Sequence, residues 1–323
     1  MLRIVILAAS TLLAIMGGAS AQGTAWKPGQ PIRAIIPFAA GSATDGIARI
    51  VLDEVGRQLG QTIVIENRAG ASGTLGAQLV AKSDPDGYTF LVTTSSHTVT
   101  PSTFSQLPYD VIADFTPVMP LVSIPNVIVV SAKRDYKTAK DLAADAKKNP
   151  GKMNYASAGA GSATHLAAER FKLSAGLEAQ HVPFKGSSEA ITEILSDRID
   201  FYAAPINTAA PLIREGKLKA LAVSSQQRAS ALPDIPTTVE AGFPDSGYEF
   251  WVGALLPKNT PQPVVDAYVA AITKALAEPT VAKKLADLGA DPMKVSPAEF
   301  GKMIAAEVKS NAAVVKAAGI KVN

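Results

Sequence analysis

Two short segments with glycine and other small residues carry the groups best suited to hold a small anion. The first, Phe38–Asp45, follows an apolar run and leads into a helical pattern, and the second, Ser157–His165, repeats that layout near the middle of the chain. Small residues let main-chain N–H groups approach a ligand closely, and a helix N-terminus presents unpaired donors with a partial positive charge. Neither segment contains lysine or arginine. The pattern therefore indicates a site that holds carboxylates by partial charges, with a plain tight turn as the alternative at each loop taken alone.

The pair Ser162 and His165 could also support nucleophilic catalysis. The two residues are three positions apart at a predicted helix start, so both could face one side, but the base of a nucleophile also needs a third group to orient it. The chain contains no G-x-S-x-G, H-E-x-x-H or G-x-x-x-x-G-K motif. We therefore favour a protein that is not an enzyme, in which Ser162 caps a helix and His165 forms hydrogen bonds. A secreted hydrolase using Ser162 and His165 stays open as the alternative, and His181, in an apolar run, is expected to be structural.

Cofactor and metal sites are not indicated. The glycine-rich stretch 70–76 does not have the G-x-G-x-x-G spacing of a dinucleotide fingerprint, and no calcium-loop series follows Asp84. The chain has no cysteine and three histidines, and its formal net charge is +3 without blocks of lysine and arginine. We expect no metal, no cofactor and no binding to nucleic acid or to a membrane surface.

The first 21 residues are typical of a secretory signal peptide. Arg3 precedes an apolar run from Ile4 to about Met16, and small residues then lead to Ala21. The run is too short for a membrane span, which needs about 20 apolar residues. We expect cleavage near Ala21 and a periplasmic protein that does not insert into the membrane.

The rest of the chain alternates strand-like and helix-like patterns, which predicts an α/β fold with mostly parallel sheets. The predicted strands are Ile32–Pro37, Thr62–Glu66, Tyr88–Thr93, Asn126–Ser131, Met153–Ser157, Glu178–Pro183, Ile199–Ala203, Leu218–Ser224 and Tyr248–Leu255. The predicted helices are Asp45–Leu59, Thr138–Lys148, Ser162–Ser174 and Ser187–Ser196, with further helical patterns from about Pro261 to Ala318.

Two proline-containing zones, Val118–Asn126 and Pro233–Gly247, could carry the chain between two domains. In that case domain 1 consists of residues 22–125 and 248–323, and domain 2 of residues 126–247. The ligand cleft would lie between the two domains.

A series of short motifs runs along the chain essentially from end to end. They are Pro37–Arg49, Glu66–Ala71 with Gly73 and Gly76, Asp84–Thr89, Leu107–Asp110 with Asp114 and Phe115, Asn149–Lys152, Tyr155–His165 with Leu166, Ala167 and Glu169, His181–Gly186, Gly216–Val223 and Leu232–Thr237. In the order of these motifs the chain resembles the Bug family, the periplasmic solute-binding proteins of tripartite tricarboxylate transporters.

This resemblance implies a type II periplasmic binding protein fold, which closes over a ligand and hands it to membrane permease subunits. Members bind di- or tricarboxylates, aromatic acids or acidic amino acids, so a small carboxylated ligand and a monomer are expected. A ligand-sensing subunit for a membrane receptor is a further alternative. Ala39–Ser42 and Thr100 depart from the commonest family pattern, which puts ligand identity by analogy in doubt. The expected ligand-binding residues are Phe38, Ala40, Gly41, Ser42, Thr44, Asp45, Ser95, His97, Ser157, Ala158, Gly161, Ser162, Thr164, His165 and Pro205.

Overall fold

A computed structural model describes residues 26–184 and 186–320, so the expected signal peptide lies outside the described residues. The strands are β1 (Ile32–Ile36), β2 (Ile63–Asn67), β3 (Thr89–Thr94), β4 (Phe115–Ser123), β5 (Asn126–Ser131), β6 (Met153–Ser157), β7 (Ala179–Pro183), β8 (Phe201–Pro205), β9 (Leu218–Val223), β10 (Trp251–Pro257) and β11 (Asp291–Pro292). The α-helices are α1 (Ala43–Leu59), α2 (Thr74–Ala81), α3 (Thr100–Thr103), α4 (Ala139–Lys148), α5 (Ala163–Ala175), α6 (Ser187–Leu195), α7 (Ile206–Arg214), α8 (Gln262–Ala277), α9 (Pro279–Asp287) and α10 (Pro297–Ala317). Short 3-10 turns cover Ala71–Gly73 and Ser95–Thr98.

The strands form two sheets, and the parts of the molecule built around them are called the first half and the second half. The first has the order β11-β4-β10-β3-β1-β2 and the second the order β7-β6-β8-β5-β9. The strands of the second sheet lie between Asn126 and Val223, and those of the first lie on both sides of that stretch in the sequence. The chain therefore passes between the sheets twice, from β4 to β5 and from β9 to β10.

The prediction of an α/β fold is confirmed, but the prediction of mostly parallel sheets is wrong. β1 runs parallel to β2 and β3, and β6 runs parallel to β7 and β8. β10 is antiparallel to β3 and β4, and β5 is antiparallel to β8 and β9. The reason is the double crossing, because β5 and β10 each enter a sheet directly from the other half and run against its parallel strands.

The first crossing is also shorter than the sequence suggests. Most of Val118–Asn126 belongs to β4 and β5, and only Ile124 and Pro125 lie between these strands. β4 accommodates Pro117 and Pro120 opposite β10, where the register of the pairing shifts twice. In the second crossing, Tyr248–Phe250 precede the strand that was predicted to begin at Tyr248.

Both sheets are buried by helices and have apolar cores. Ile35, Phe90 and Trp251 are fully buried in the first half, and Tyr155 and Phe201 are fully buried in the second. Among the described residues, no helix has the length and hydropathy needed to cross a membrane.

Candidate ligand-binding site

The first loop turns from β1 into α1 through a tightly bonded arrangement around Ser42. Ser42 is the N-cap of α1, and its hydroxyl accepts the main-chain N–H of Asp45 at 3.3 Å. Gly41, just before the cap, has φ of 80° and donates its N–H to Oδ2 of Asp45 at 2.9 Å. A left-handed conformation of this kind favours glycine, as the sequence predicts.

The buried carboxylate of Asp45 holds the first loop together by hydrogen bonds. Its side chain is buried, and Oδ2 accepts Nε of Arg49 at 2.9 Å while Oδ1 accepts Nδ2 of Asn67 at 3.0 Å. Asn67 also donates to the carbonyl of Phe38 at 3.0 Å. Burial alone would raise the pKa of Asp45, but the hydrogen bonds from Arg49, Gly41 and Asn67 lower it below its usual value. The carboxylate of Asp45 therefore stabilises the conformation of the loop through these hydrogen bonds.

The second loop repeats this geometry between β6 and α5. Ser162 is the N-cap of α5 and accepts the main-chain N–H of His165 at 3.3 Å. Gly161 has φ of 73° and donates its N–H to Nδ1 of His165 at 3.0 Å. Thr164 adds a bond of its own, because its hydroxyl accepts the N–H of Ala158 at 2.8 Å. His165 thus occupies the position that Asp45 has in the first loop.

The imidazole of His165 is neutral and is stacked on a second imidazole. The rings of His165 and His181 have centroids 3.8 Å apart and lie 13° from parallel. Burial, together with smaller effects of His181 and Lys172, lowers the pKa of His165 to about 3. Burial also lowers the pKa of His181. The second loop therefore presents no ionised side chain of its own near neutral pH.

Four residues outside the expected ligand-binding set support the second loop. His181 Nε2 lies 2.6 Å from the hydroxyl of Ser157, so the expected structural residue is part of the site's surroundings. Behind His165, the buried carboxylate of Glu169 accepts Nζ of Lys172 at 2.6 Å and the hydroxyl of Tyr155. A signal existed in the spacing, because Glu169 follows His165 by four residues and so lies on the same helical face.

The helix starts leave main-chain donors for a ligand. The first N–H groups of any α-helix have no partner within the helix. Ser42 and Ser162 satisfy the third such group in each helix, and within the described residues the N–H groups of Ala43 and Thr44 at α1 and of Ala163 and Thr164 at α5 have no hydrogen-bond partner. The N–H groups of Gly41 and Gly161, in contrast, are used within the loops.

The remaining expected residues lie at the same edges of the two sheets, with one exception. Ser95 follows β3, which is parallel to β1, and Pro205 ends β8, which is parallel to β6, so both lie at the carboxyl ends of strands next to those that carry the loops. Ser95 is fully buried and its hydroxyl lies 3.1 Å from that of Tyr248. Ala40 is exposed on the first loop. His97 is the exception, because its buried ring packs against Tyr109 and Phe115 and bonds to the carbonyl of Val111.

Within the described residues, the hydroxyl of Ser162 makes no hydrogen bond to the imidazole of His165. It accepts the main-chain N–H of His165 and lies 2.9 Å from the hydroxyl of Thr164, while Nδ1 of His165 accepts from Gly161. Among the described serines, the one whose hydroxyl bonds to an imidazole nitrogen is Ser157, and it is fully buried. Both loops are therefore capped helix starts.

Two α/β halves are joined by two crossings, and each half has a capped helix start behind a parallel strand. Comparison with known proteins identifies the class to which this architecture belongs. The profile described as "Tripartite tricarboxylate transporter family receptor" matches residues 47–320. The chain belongs to this family of receptors, and its fold is that of the two-domain periplasmic binding proteins.

Individual relatives match over most of their length. BugT of Bordetella pertussis is 34% identical over 296 residues, which cover 91% of this chain and 91% of BugT. A protein of R. palustris solved with adipate has 31% identity and a TM-score of 0.76, covering 91% of this chain and 99% of that one. MatC of Rhodopseudomonas palustris with bound malate has 32% identity and a TM-score of 0.73, covering 89% of this chain and 99% of MatC.

Proposed function

We propose that this protein is an exported, periplasmic solute-binding protein that captures a small carboxylated compound between the loops Phe38–Asp45 and Ser157–His165. Domain 1, of residues 22–125 and 248–323, and domain 2, of residues 126–247, close over the ligand by rotation about the two crossings. The protein then delivers the ligand to the permease subunits of a tripartite tricarboxylate-type transporter, and it acts as a monomer without a cofactor.

The observation that carries this proposal is the matched pair of helix starts. The free N–H groups of Thr44 and Thr164, with their neighbours Ala43 and Ala163, supply donors for a carboxylate, and the helix dipoles favour a negative charge there. The loops contain no lysine or arginine, so the ligand charge meets hydrogen bonds and dipoles rather than an ion pair. The malate and adipate in two related structures are supporting examples of dicarboxylates.

Thermal-shift screening tests the proposal. The mature protein is heated with di- and tricarboxylates, aromatic acids and acidic amino acids, each compared with the corresponding amide. A ligand present at 100 times its Kd stabilises the folded state by about 2.7 kcal/mol. We expect stabilisation by at least one acid and not by its amide. Equal shifts for the acid and the amide, or none for any acid, would contradict carboxylate capture.

The alternative of a hydrolase has a separate test. Ester, amide and phosphoester substrates are incubated with the protein and with Ser162→Ala. Turnover that disappears in the variant would favour the hydrolase. A sensing subunit, the other alternative, differs only in its membrane partner, which a pull-down from membranes would identify.

A further inference from the structure

A cavity of about 830 Å³ lies between the two halves of the molecule. Its wall comes from both crossings, from α5 of the second half and from β4, β11 and α10 of the first half. The volume is within the range of about 300–1,000 Å³ that is usual for small-molecule sites. Among the described residues that line the cavity, none belongs to Phe38–Asp45 or Ser157–His165. The cavity is therefore distinct from the candidate site described above.

The strand order places the cavity and the two loops at different positions along both sheets. In the first sheet, Ser123 of β4 lines the cavity, and the first loop follows β1, the third strand from β4. In the second sheet, Ser225 lies just after β9, and the second loop follows β6, the third strand from β9. Three strand spacings correspond to about 14 Å. A ligand in the cavity would therefore leave the donors of the two loops free.

Arg170 lines the cavity with a charge that no carboxylate balances at close range. Its Nη2 donates to the hydroxyl of Ser310 and to Oδ1 of Asn311, each at 2.8 Å. Its Nη1 lies 3.5 Å from the carbonyl of Gly247, and its Nε is buried with no hydrogen-bond partner among the described residues. Within the same residues the guanidinium forms no ion pair. Burial lowers the pKa of Arg170, because the charged form loses hydration, so an anionic ligand group would stabilise the guanidinium.

Two carboxyl groups line the same cavity, and neither of them is paired with a cation within the described residues. Glu249 accepts the hydroxyl of Ser123 and, at 3.1 Å, the main-chain N–H of Gln226. Glu307 accepts Nε1 of Trp251 at 3.0 Å. Burial raises the pKa of Glu249, and it raises the pKa of Glu307 to about 7. A positively charged ligand group would therefore stabilise the ionised form of both.

The other charged residues of the wall are engaged elsewhere or are exposed. Arg228 pairs with Glu240, whose Oε2 lies 2.9 Å from Nε of the arginine. Asp291 accepts the main-chain N–H of Ser230 at 3.3 Å and also its hydroxyl. Lys294 is exposed to solvent. The partly buried charges without an ionic partner at the cavity are thus one guanidinium and two carboxyl groups.

A ligand with one charge of each sign matches this arrangement best. An anion alone would face the two carboxyl groups, and a cation alone would face the guanidinium. We propose that the cavity is a second binding site, for a small zwitterion such as a free amino acid. The carboxylate of the ligand bonds to Arg170, and its ammonium group bonds to Glu249 and Glu307. This site goes beyond the proposed function, because it uses none of the donors of the two loops.

Calorimetric titration with the free amino acids found in proteins, one at a time, tests the second site. The titrations use the wild type and Gly161→Val, in which the second loop should no longer bind a carboxylate. We expect at least one amino acid to bind both proteins with the same Kd. Its amide lacks the carboxylate and its N-acetyl derivative lacks the ammonium group, so each should bind at least about tenfold more weakly. No binding to Gly161→Val, or equal binding of the two derivatives, would overturn the proposal.

Two variants of the cavity locate the ligand. Arg170→Met and Glu249→Gln should each raise the Kd of that amino acid by about tenfold or more. Glu249→Gln keeps one acceptor oxygen and carries the test if Arg170→Met does not fold. Arg198→Met is the matched control, because Arg198 pairs with Glu193 at the surface of the second half and should leave the Kd unchanged. An unchanged Kd in every folded cavity variant would overturn the second site, whether or not the two loops bind a carboxylate.

Discussion

Gly161 donates its main-chain N–H to Nδ1 of His165 across 3.0 Å, and so fixes the proton of this imidazole on Nε2. Gly41 makes the same bond to the carboxylate of Asp45 in the first loop. The two loops thus share one geometry but use acceptors of different charge. Asp45 has its charge balanced by Arg49, whereas His165 needs no counter-ion.

Ligand affinity should change little between pH 5 and pH 8. Burial is the main cause that lowers the pKa of His165 to about 3, so this imidazole stays neutral in this range. Calorimetric titrations at several pH values, with a ligand that does not itself titrate there, check this. A change of affinity centred near pH 6.5 that disappears in His165→Asn would contradict a neutral imidazole.

The charge at position 165 should matter more than its shape. His165→Asn keeps a neutral acceptor near the N–H of Gly161, so affinity should fall by less than about 1 kcal/mol. His165→Asp places a negative charge at the helix start that should bind the carboxylate, and Glu169 occupies the position that corresponds to Arg49, the partner of Asp45. We expect it to cost about 1 kcal/mol more than the asparagine variant. Equal affinities of the two variants, measured by calorimetry, would show that the carboxylate is remote from α5.

The positive φ angles of Gly41 and Gly161 should be needed for binding. A Cβ at Gly41 would meet no atom within 4 Å, so Gly41→Ala is penalised by its φ of 80° rather than by a collision. We expect a loss of about 1–2 kcal/mol in stability and a larger loss of affinity for Gly41→Val and Gly161→Val. Ser42→Ala or Thr164→Ala should weaken binding by only about 0.5–1.5 kcal/mol.

Gly60 provides the control for these glycine variants. It has φ of 67° at the C-cap of α1, at the opposite end of that helix from the first loop. Gly60→Ala should therefore reduce the stability to a similar extent and leave ligand affinity unchanged. Wild-type affinity in both Gly41→Val and Gly161→Val would mean that the carboxylate is held elsewhere.

Glu307 should make the protein less stable as the pH rises from about 4.5 to 7. Burial raises its pKa to about 7, although hydrogen bonds from Trp251 and Thr98 lower it in part. Below about pH 4.5 the carboxyl group is protonated in both the folded and the unfolded state, and its contribution to stability is complete. Between about pH 4.5 and 7 the folded state keeps the proton that the unfolded state loses, so the free energy of unfolding falls as the pH rises. At 1.36 kcal/mol per pKa unit, the effect is about 3 kcal/mol at most.

Comparison with Glu307→Gln isolates this effect. Buried His97, whose pKa is lowered to about 4, has the opposite effect. Because the unfolded state takes up a proton on this residue at higher pH than the folded state does, the protein loses stability as the pH falls below about 6.5. The free energy of unfolding of the wild type and of the variant should therefore be measured by denaturant titration at each pH, and the difference between the two compared. A constant difference from pH 4.5 to 7 would show that Glu307 does not titrate in this range.

The sequence predicts the local elements well and the long-range contacts poorly. Asn126–Ser131 and Met153–Ser157 form strands with the predicted bounds, because short apolar runs between turn residues are a local signal. The prolines of β4 conceal this strand in the sequence, and its pairing with β10 and β11 shows it in the structure. α2 was missed because glycines surround and interrupt it.

The candidate site shows the same division. Ser162 is a helix cap as its position in the sequence predicts, whereas Ser42 caps a helix that begins two residues before the predicted Asp45, and the glycines before both serines have positive φ. The stacking of His181 on His165 joins residues 16 positions apart through two adjacent elements, which no spacing rule indicates. The ligand-binding roles of the expected residues stay predictions.

The most direct test of carboxylate capture observes the donors themselves. The protein is labelled with ¹⁵N-threonine, the amide signals of Thr44 and Thr164 are assigned by substitution to serine, and the best carboxylate from thermal-shift screening is titrated. Both signals should move to saturation with the same Kd, because one N–H of each helix start gains a charged acceptor. If a carboxylate binds and both signals stay in place, the ligand is not held by the two helix starts and the account is contradicted.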